Sequence, residues 1–375
     1  MKLINRISML SLFGGAVLLM SYLTNLNVET PSSIQNSGIP SSDISNHHNP
    51  KGGFINTAND FNDNTAILPL LIRYATEKRI DAIPEHVIPV QSVTQSQLNN
   101  MKSDTIIRLG HSSLFMQLNG QKWLIDPVFS DRASPFSFIG PKRFHQPPIA
   151  LSDLPDIDGI LISHDHYDHL DEASIKFLAQ KVKHFVVPLG VDHHLKKWQV
   201  PTNTIHALDW WQSITLDGIT LTATPTQHFS GRGLFDKNET LWASYVIKTP
   251  DSSLFFSGDS GYFDGFKAIG ERFGPFDITM IETGAYDKDW ADIHMTPEQS
   301  LQAHIDLKGR NMLPIHNGTF DLAFHAWYEP FNRIAQLAHQ AHVPLLTPIM
   351  GQAITVNKLP QTKEWWNTFV PSKNQ

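Results

Sequence analysis

From about Asp104 onward, short apolar runs alternate with polar turns. Thr105–Leu109 and Ser113–Leu118 read as strands. Asn119-Gly120 turns the chain back into Lys122–Ile125, which stops at Asp126-Pro127 because proline has no N–H for a ladder. Gly159–Ser163 is a short unbroken apolar run, the pattern of a buried central strand. An amphipathic helix at Glu172–Lys183 and a second buried strand at His184–Val187 follow it. Further strands are expected at Ile219–Thr224, Leu241–Lys248, Leu254–Ser257, Ile278–Glu282 and Met312–Ile315. Helices are expected at Thr296–Leu307, capped by Thr296 and opened by Pro297, and at Glu329–Gln340. Hairpins first, then strands alternating with helices, predict an α/β fold of layered sheets with helices outside. No repeat of roughly 20–50 residues is visible.

Upstream the texture differs. Residues 24–66 are rich in Ser, Asn, Pro and Gly and read as a linker or loosely packed arm, in which His47 and His48 are expected to be solvated. Residues 67–100 have scattered apolar positions that suit a helix and an extended segment. The division is therefore 1–24 as signal peptide or membrane anchor, 25–103 as linker and N-terminal extension, and 104–375 as the main folded domain. In the first of these, Lys2 and Arg6 precede an apolar stretch from Ile7 to Leu23. That is the order of a secretory signal. No small-x-small cleavage site follows, so an uncleaved anchor stands beside a cleaved signal. The next Lys or Arg is Lys51, so the charge bias predicts a translocated, extracytoplasmic body, periplasmic in a bacterium.

With 375 residues, 41% of them hydrophobic, the chain can bury one large core or two modest ones. A net charge of −7 and no basic stripe argue against a nucleic-acid partner. The absence of cysteine excludes disulfides and thiolate metal sites. Any metal must be held by His, Asp or Glu, a donor set suited to zinc or another first-row divalent ion.

The residues that carry chemistry are concentrated in His164-x-His166-x-Asp168-His169, directly after the buried strand. A strand end delivers side chains to the edge of a sheet, where two imidazoles two apart can grip one ion. The following carboxylate and imidazole can grip a second, at the ~3.5–4 Å separation of two-metal hydrolytic sites. His228, Asp259 and His316 each follow an apolar strand in the same way and complete a bimetal constellation.

With these residues in place, the chain resembles the metallo-β-lactamase superfamily, and within it the family of phospholipases D that hydrolyse N-acylphosphatidylethanolamine. The resemblance runs over roughly Asp104 to Leu346. It is carried by Leu109-Gly-His-Ser-Ser113, Leu124-Ile-Asp-Pro-Val-Phe-Ser130, Leu161–Asp171, Thr224-Pro-Thr-Gln-His228, Gly258-Asp-Ser-Gly-Tyr262 and Ile315-His-Asn-Gly-Thr-Phe320. Gly140-Pro-Lys-Arg-Phe144, Leu208-Asp-Trp-Trp211, Arg272-Phe-Gly-Pro-Phe-Asp277 and Gly284-Ala-Tyr286 point to that branch.

The resemblance implies a four-layer αβ/βα sandwich with two zinc ions. His164, His166 and His228 would bind the first; Asp168, His169 and His316 would bind the second; Asp259 would bridge. Asp168 and His294 would be catalytic. His294 would orient the substrate phosphate or protonate the leaving group, Tyr167 would contact the head group or pack, and Asp126 would support a ligand from behind. A hydroxide formed on the metal would cleave a membrane phospholipid into phosphatidic acid and N-acylethanolamine. The competing readings are a lactonase or other hydrolase of the same fold, and a non-catalytic metal-binding envelope protein. Membrane association and a homodimer are compatible with the chain; Trp210-Trp211 and Trp365-Trp366 could meet a membrane interface, with buried packing the favoured role for the first pair.

Overall fold

The computed structural model describes residues 34–36, 46–58, 61 and 67–370. The apolar leader lies outside the described residues, and among these no helix is long and apolar enough to cross a membrane.

Two seven-stranded mixed sheets form the centre. One runs, in spatial order, β1 (Ile34–Asn36), β8 (Gln212–Leu216), β9 (Ile219–Thr224), β10 (Ser244–Lys248), β11 (Ser253–Phe256), β12 (Ile278–Glu282) and β13 (Met312–Ile315). The other runs β14 (Ala353–Thr355), β2 (Thr105–Gly110), β3 (Ser113–Leu118), β4 (Gln121–Ile125), β5 (Ile157–Leu161), β6 (Val182–Pro188) and β7 (Ile205–Leu208). Hairpin neighbours pair antiparallel, whereas β4 to β7 and β11 to β13 run parallel. The helices are α1 (Ile67–Thr76), α2 (Gln95–Asn99), α3 (Glu172–Leu178), α4 (Val191–Lys197), α5 (Gly265–Phe273), α6 (Pro297–Asp306) and α7 (Glu329–Gln340).

The layering follows from the two-residue period of a strand, which sends alternate side chains to opposite faces. Ile106, Leu114, Met116, Trp123, Ile125 and Leu161 meet Leu221, Tyr245, Ile247, Phe256 and Met280 in the core between the sheets. Their neighbours Ile107, Phe115, Leu124 and Ile160 face outward onto α3 and α4 through Ile175, Leu178 and Leu195. On the second sheet Val246, Phe255 and Ile281 pack outward against Phe266, Leu301 and Ile334 of α5, α6 and α7. This is the expected αβ/βα sandwich. Gly159 is required at its centre: a Cβ there would sit 2.3 Å from the Trp123 ring.

Three local expectations change. The helix from Glu172 ends at Leu178, because Val182 onward pairs with β5 as β6. Leu241–Ala243 does not join β10. Its amides instead reach across to the other sheet, Leu241 N–H to Leu189 O and Ala243 N–H to Ser163 O. Trp365 and Trp366 are buried against Phe331 of α7 with Trp327, so they form no interface belt. Trp210 is buried in the inter-sheet core.

The largest correction concerns the arm. His47 is fully buried, stacked on Trp210 at 4.3 Å. Its Nε2 lies 2.6 Å from Asp209 Oδ1, and His48 Nε2 lies 2.8 Å from Oδ2. The segment then doubles back: Ile55 N–H donates to His47 O, Phe54 N–H donates to Asn238 O, and the Phe54 ring enters the inter-sheet core. Residues 46–58 are a docked strap. Farther along, α1 is tied down by Arg73, which pairs with Asp287 and Asp289 and lies over the Phe324 ring.

Candidate active site

Every residue expected at the metal site sits at a strand end on one edge of the sandwich. β5 runs into Ser163 and His164, and the loop to α3 presents His166, Asp168 and His169. Asp171 caps α3 and also accepts from the Ser130 N–H and the Ser174 hydroxyl, so the loop is pinned at its exit. β9 leads to His228, β11 to Asp259 and β13 to His316. His316 has φ +61°, a left-handed backbone that histidine seldom adopts. Gly284 permits it, since a Cβ there would lie 1.8 Å from the His316 carbonyl oxygen. Strain of this kind persists only where the surroundings over-determine it.

The seven side chains converge as two overlapping sets. In the first, His166 Nδ1 lies 2.9 Å from His164 Nε2 and 3.2 Å from His228 Nε2. In the second, His316 Nε2 lies 3.3 Å from Asp168 Oδ2, and His169 Nε2 lies 3.5 Å from the same oxygen. Asp259 stands between the sets. Its Oδ1 is 3.1 Å from His169 Nε2; its Oδ2 is 2.9 Å from His316, 3.8 Å from His228 and 3.9 Å from His164. His169 Nε2, His316 Nε2 and Asp259 Oδ1 are buried and complete no hydrogen bond. Buried polar atoms left in this way are costly unless something else binds them. All-nitrogen and oxygen donors with lone pairs aimed at one volume fit divalent metal.

Electrostatics divide the sets. Burial, reinforced by neighbouring imidazoles, pushes His164 well below the usual histidine range, and burial does the same to His228. Both rings are thus neutral donors at physiological pH. Burial alone would also lower His316, but Asp259 and Asp168 outweigh it and raise the ring to about 10. His169 is likewise held high against burial by Asp259 and Asp168. A metal entering the second set therefore displaces protons.

Behind the donors lies a supporting layer. Asp126, fully buried, meets His169 Nδ1 at 2.7 Å and accepts from the backbone N–H and hydroxyl of Ser163. His228 Nδ1 is 3.0 Å from Ile293 O. Such contacts fix which ring nitrogen is turned toward the shared volume, where a metal would be held. His294 lies beside the cluster, its ring 5.1 Å from that of His228 and 5.3 Å from that of His316. The cap of α6 is Thr296, two residues on. Tyr167 lines a neighbouring groove with Arg132, Lys176, Trp198 and Arg232. Its ring carries the Arg232 guanidinium at 4.0 Å, and its hydroxyl donates to Arg232 O, so it packs as well as facing the groove.

Three participants escaped the sequence reading. His111, in the turn after β2, meets Asp168 Oδ2 at 2.9 Å, and burial, with His316 beside it, pushes it down to about 3. Glu282, the last residue of β12, is buried against His294 Nδ1. Asn56, on the strap, grips the backbone of a residue of the first donor set: its amide donates to His228 O at 2.7 Å and its Oδ1 accepts from His228 N–H at 3.1 Å. Only His111 had a sequence signal, the Leu109–Ser113 stretch.

A family model described as the beta-lactamase superfamily domain matches residues 121–317. The N-acyl-phosphatidylethanolamine-hydrolyzing phospholipase D 1 of Caenorhabditis elegans is 35% identical over 294 residues, which are 73% of this chain and 81% of that one. An uncharacterized Mycobacterium tuberculosis protein is 44% identical over 261 residues, 68% of this chain and 70% of its own length. Among solved structures, a possible metal-dependent hydrolase from Veillonella parvula superposes with a TM-score of 0.54 at 15% identity. It covers 68% of this chain and all of that chain, a likeness that speaks to the fold alone. Metal-dependent hydrolysis is accordingly the activity class, and the chain belongs to the metallo-β-lactamase superfamily, in the family of the N-acylphosphatidylethanolamine-hydrolysing phospholipases D.

Proposed function

We propose that the protein is a zinc-dependent phosphodiesterase of the phospholipase D type. Its substrate would be N-acylphosphatidylethanolamine or a related membrane phospholipid, cleaved to phosphatidic acid and an N-acylethanolamine. The carrying observation is the pair of donor sets sharing Asp259, with His294 set beside them and outside either set. Bound there, two divalent ions supply a water acidic enough to attack phosphorus at neutral pH. Asp168 and Asp259 fix the donor rings by charge, and His111 holds Asp168 in place. His294, with 14% of its side chain open, is within reach of the departing head group. The relatives' activity supports the choice of a phospholipid over other esters.

The charge order around residues 1–24 supports a body outside the cytoplasm and near a membrane. Protease accessibility in intact spheroplasts checks this; full protection of the body would reverse the orientation. For the activity, full-length protein is assayed in mixed micelles for release of N-acylethanolamine, with loss expected on chelation and recovery on adding zinc. Cleavage of a lactone or β-lactam with phospholipid untouched would sink the proposal.

A further inference from the structure

Among the described residues, the groups paired with the Glu282 carboxylate that can carry positive charge are imidazoles, those of His294 and His316. Glu282 is fully buried at the end of β12. Its placement is over-determined: its N–H donates to Ser257 Oγ at 2.9 Å, its carbonyl accepts from Ser300 Oγ at 2.6 Å, and its Oε2 accepts from Ser260 N–H at 2.7 Å. The remaining oxygen, Oε1, is in contact with His294 Nδ1. The next imidazole nitrogen, His316 Nδ1, is 4.0 Å from that oxygen. Glu282 therefore stands behind the metal-facing atoms and touches the cluster through His294. The His294 ring lies 5.1 Å from that of His228, and a ring nitrogen of His294 groups with donor atoms of His228 and Asp259 within 4.8 Å.

A carboxylate fixed on one nitrogen of an imidazole settles which nitrogen keeps its proton and which way the ring points. We propose that Glu282 is the positioning residue of a Glu–His pair. It holds His294 through Nδ1–H so that Nε2 delivers a proton to the head-group oxygen as that oxygen leaves phosphorus. The inference rests on the phosphodiesterase reading above. In the step, a bond forms between phosphorus and the water-derived oxygen, and the bond to the head-group oxygen breaks with its electron pair staying on that oxygen. That oxygen takes the proton from Nε2. Glu282 keeps its hydrogen bond to Nδ1–H throughout and gains no proton.

Dependence on the leaving group separates this role from a structural one. The full-length, zinc-loaded protein and its Glu282→Gln variant are compared on two phosphatidyl diesters, one with an N-acylethanolamine leaving group and one with p-nitrophenol. An alkoxide needs a proton as it departs and a nitrophenolate does not. General acid catalysis contributes roughly 10²–10⁴-fold. We expect kcat for the alkyl diester to fall by about 100-fold in Glu282→Gln, with kcat for the aryl diester falling far less. KM and metal content should stay near wild type, and Glu282→Asp should recover part of the loss. Equal losses on both diesters, or loss of metal from Glu282→Gln, overturn the proposal.

If Glu282→Gln does not fold, His294→Gln must show the same selectivity between the diesters, and equal losses there overturn it as well. Nitrogen-15 histidine NMR reads the pair without turnover. Wild type should show His294 protonated at Nδ1, shifting in Glu282→Gln, and no shift overturns the pairing. A wild type inert on both diesters but showing that NMR signature would refute the phosphodiesterase reading and the proton delivery while leaving the pairing intact.

Discussion

Asn56→Ala tests whether the strap is part of the metal centre. Asn56 makes two hydrogen bonds to the peptide groups of His228, at 2.7 and 3.1 Å, and the His228 side chain is fully buried. Truncation leaves one N–H and one C=O without their partners, each worth about 1–3 kcal/mol when buried. Asn56 itself is only half-buried, so water can partly replace it. The lower end of the range then applies, and the pair sums to about 2 kcal/mol. If that support is spent on holding His228 toward the first donor set, metal affinity falls by roughly 30-fold. Supporting contacts of this kind commonly change metal affinity by about 10–100-fold. Competition with a calibrated chelator, read by metal analysis, gives the affinity, and circular dichroism gives the melting temperature. Wild-type metal affinity together with a lowered melting temperature would show that Asn56 serves the fold and not the metal, and would refute the reasoning.

Three further expectations follow from the same geometry. Asp259→Asn removes the charge shared by the two sets and should leave the protein inactive with lowered zinc content; two zincs per chain in that variant would contradict the bridging role. Gly159→Ala puts a Cβ into the Trp123 ring and should cost about 1–3 kcal/mol by overpacking, read by urea unfolding. Burial pushes His304 down to about 4 from an ordinary 6.5, so its neutral form contributes stability above pH 6.5 that is lost as pH falls through about 4. That shift corresponds to about 3 kcal/mol across the window. His304→Gln should reduce the acid-side slope of unfolding free energy against pH by about one proton, and an unchanged slope would count against the shift.

How legible the site was depended on how its residues are distributed. His164 to His169 is a dense run behind an apolar strand, where ionisable groups have little reason to crowd unless something binds them. His228, Asp259 and His316 share the strand-end position and were readable in that company. Glu282 has the same position, yet a single carboxylate closing an apolar strand looks like any solvated strand end; only its burial and its contact with His294 distinguish it. His111 is one histidine in a hairpin turn, and its meaning depends on Asp168 lying across the fold. The strap was misread because polar, glycine-rich composition is what solvated linkers also have. Its order comes from partners 161 to 172 residues downstream, a separation that local pattern cannot report. The layer order was readable for the opposite reason: it is written in a two-residue alternation.

The docking of the strap bears on how metal leaves. Residues 46–58 form no strand of either sheet, and among the described residues their hold includes the Asp209 latch, the Phe54 anchor with its N–H on Asn238 O, and the Asn56 clip. A segment held so locally opens more often than the sandwich melts. Each opening frees the His228 peptide while both sheets stay folded. We expect metal to exchange at the rate of that opening, far faster than global unfolding, so that the strap works as a kinetic gate on the ions. Amide exchange at Phe54 and Ile55 should then keep pace with metal release, and Asp209→Asn should quicken both together.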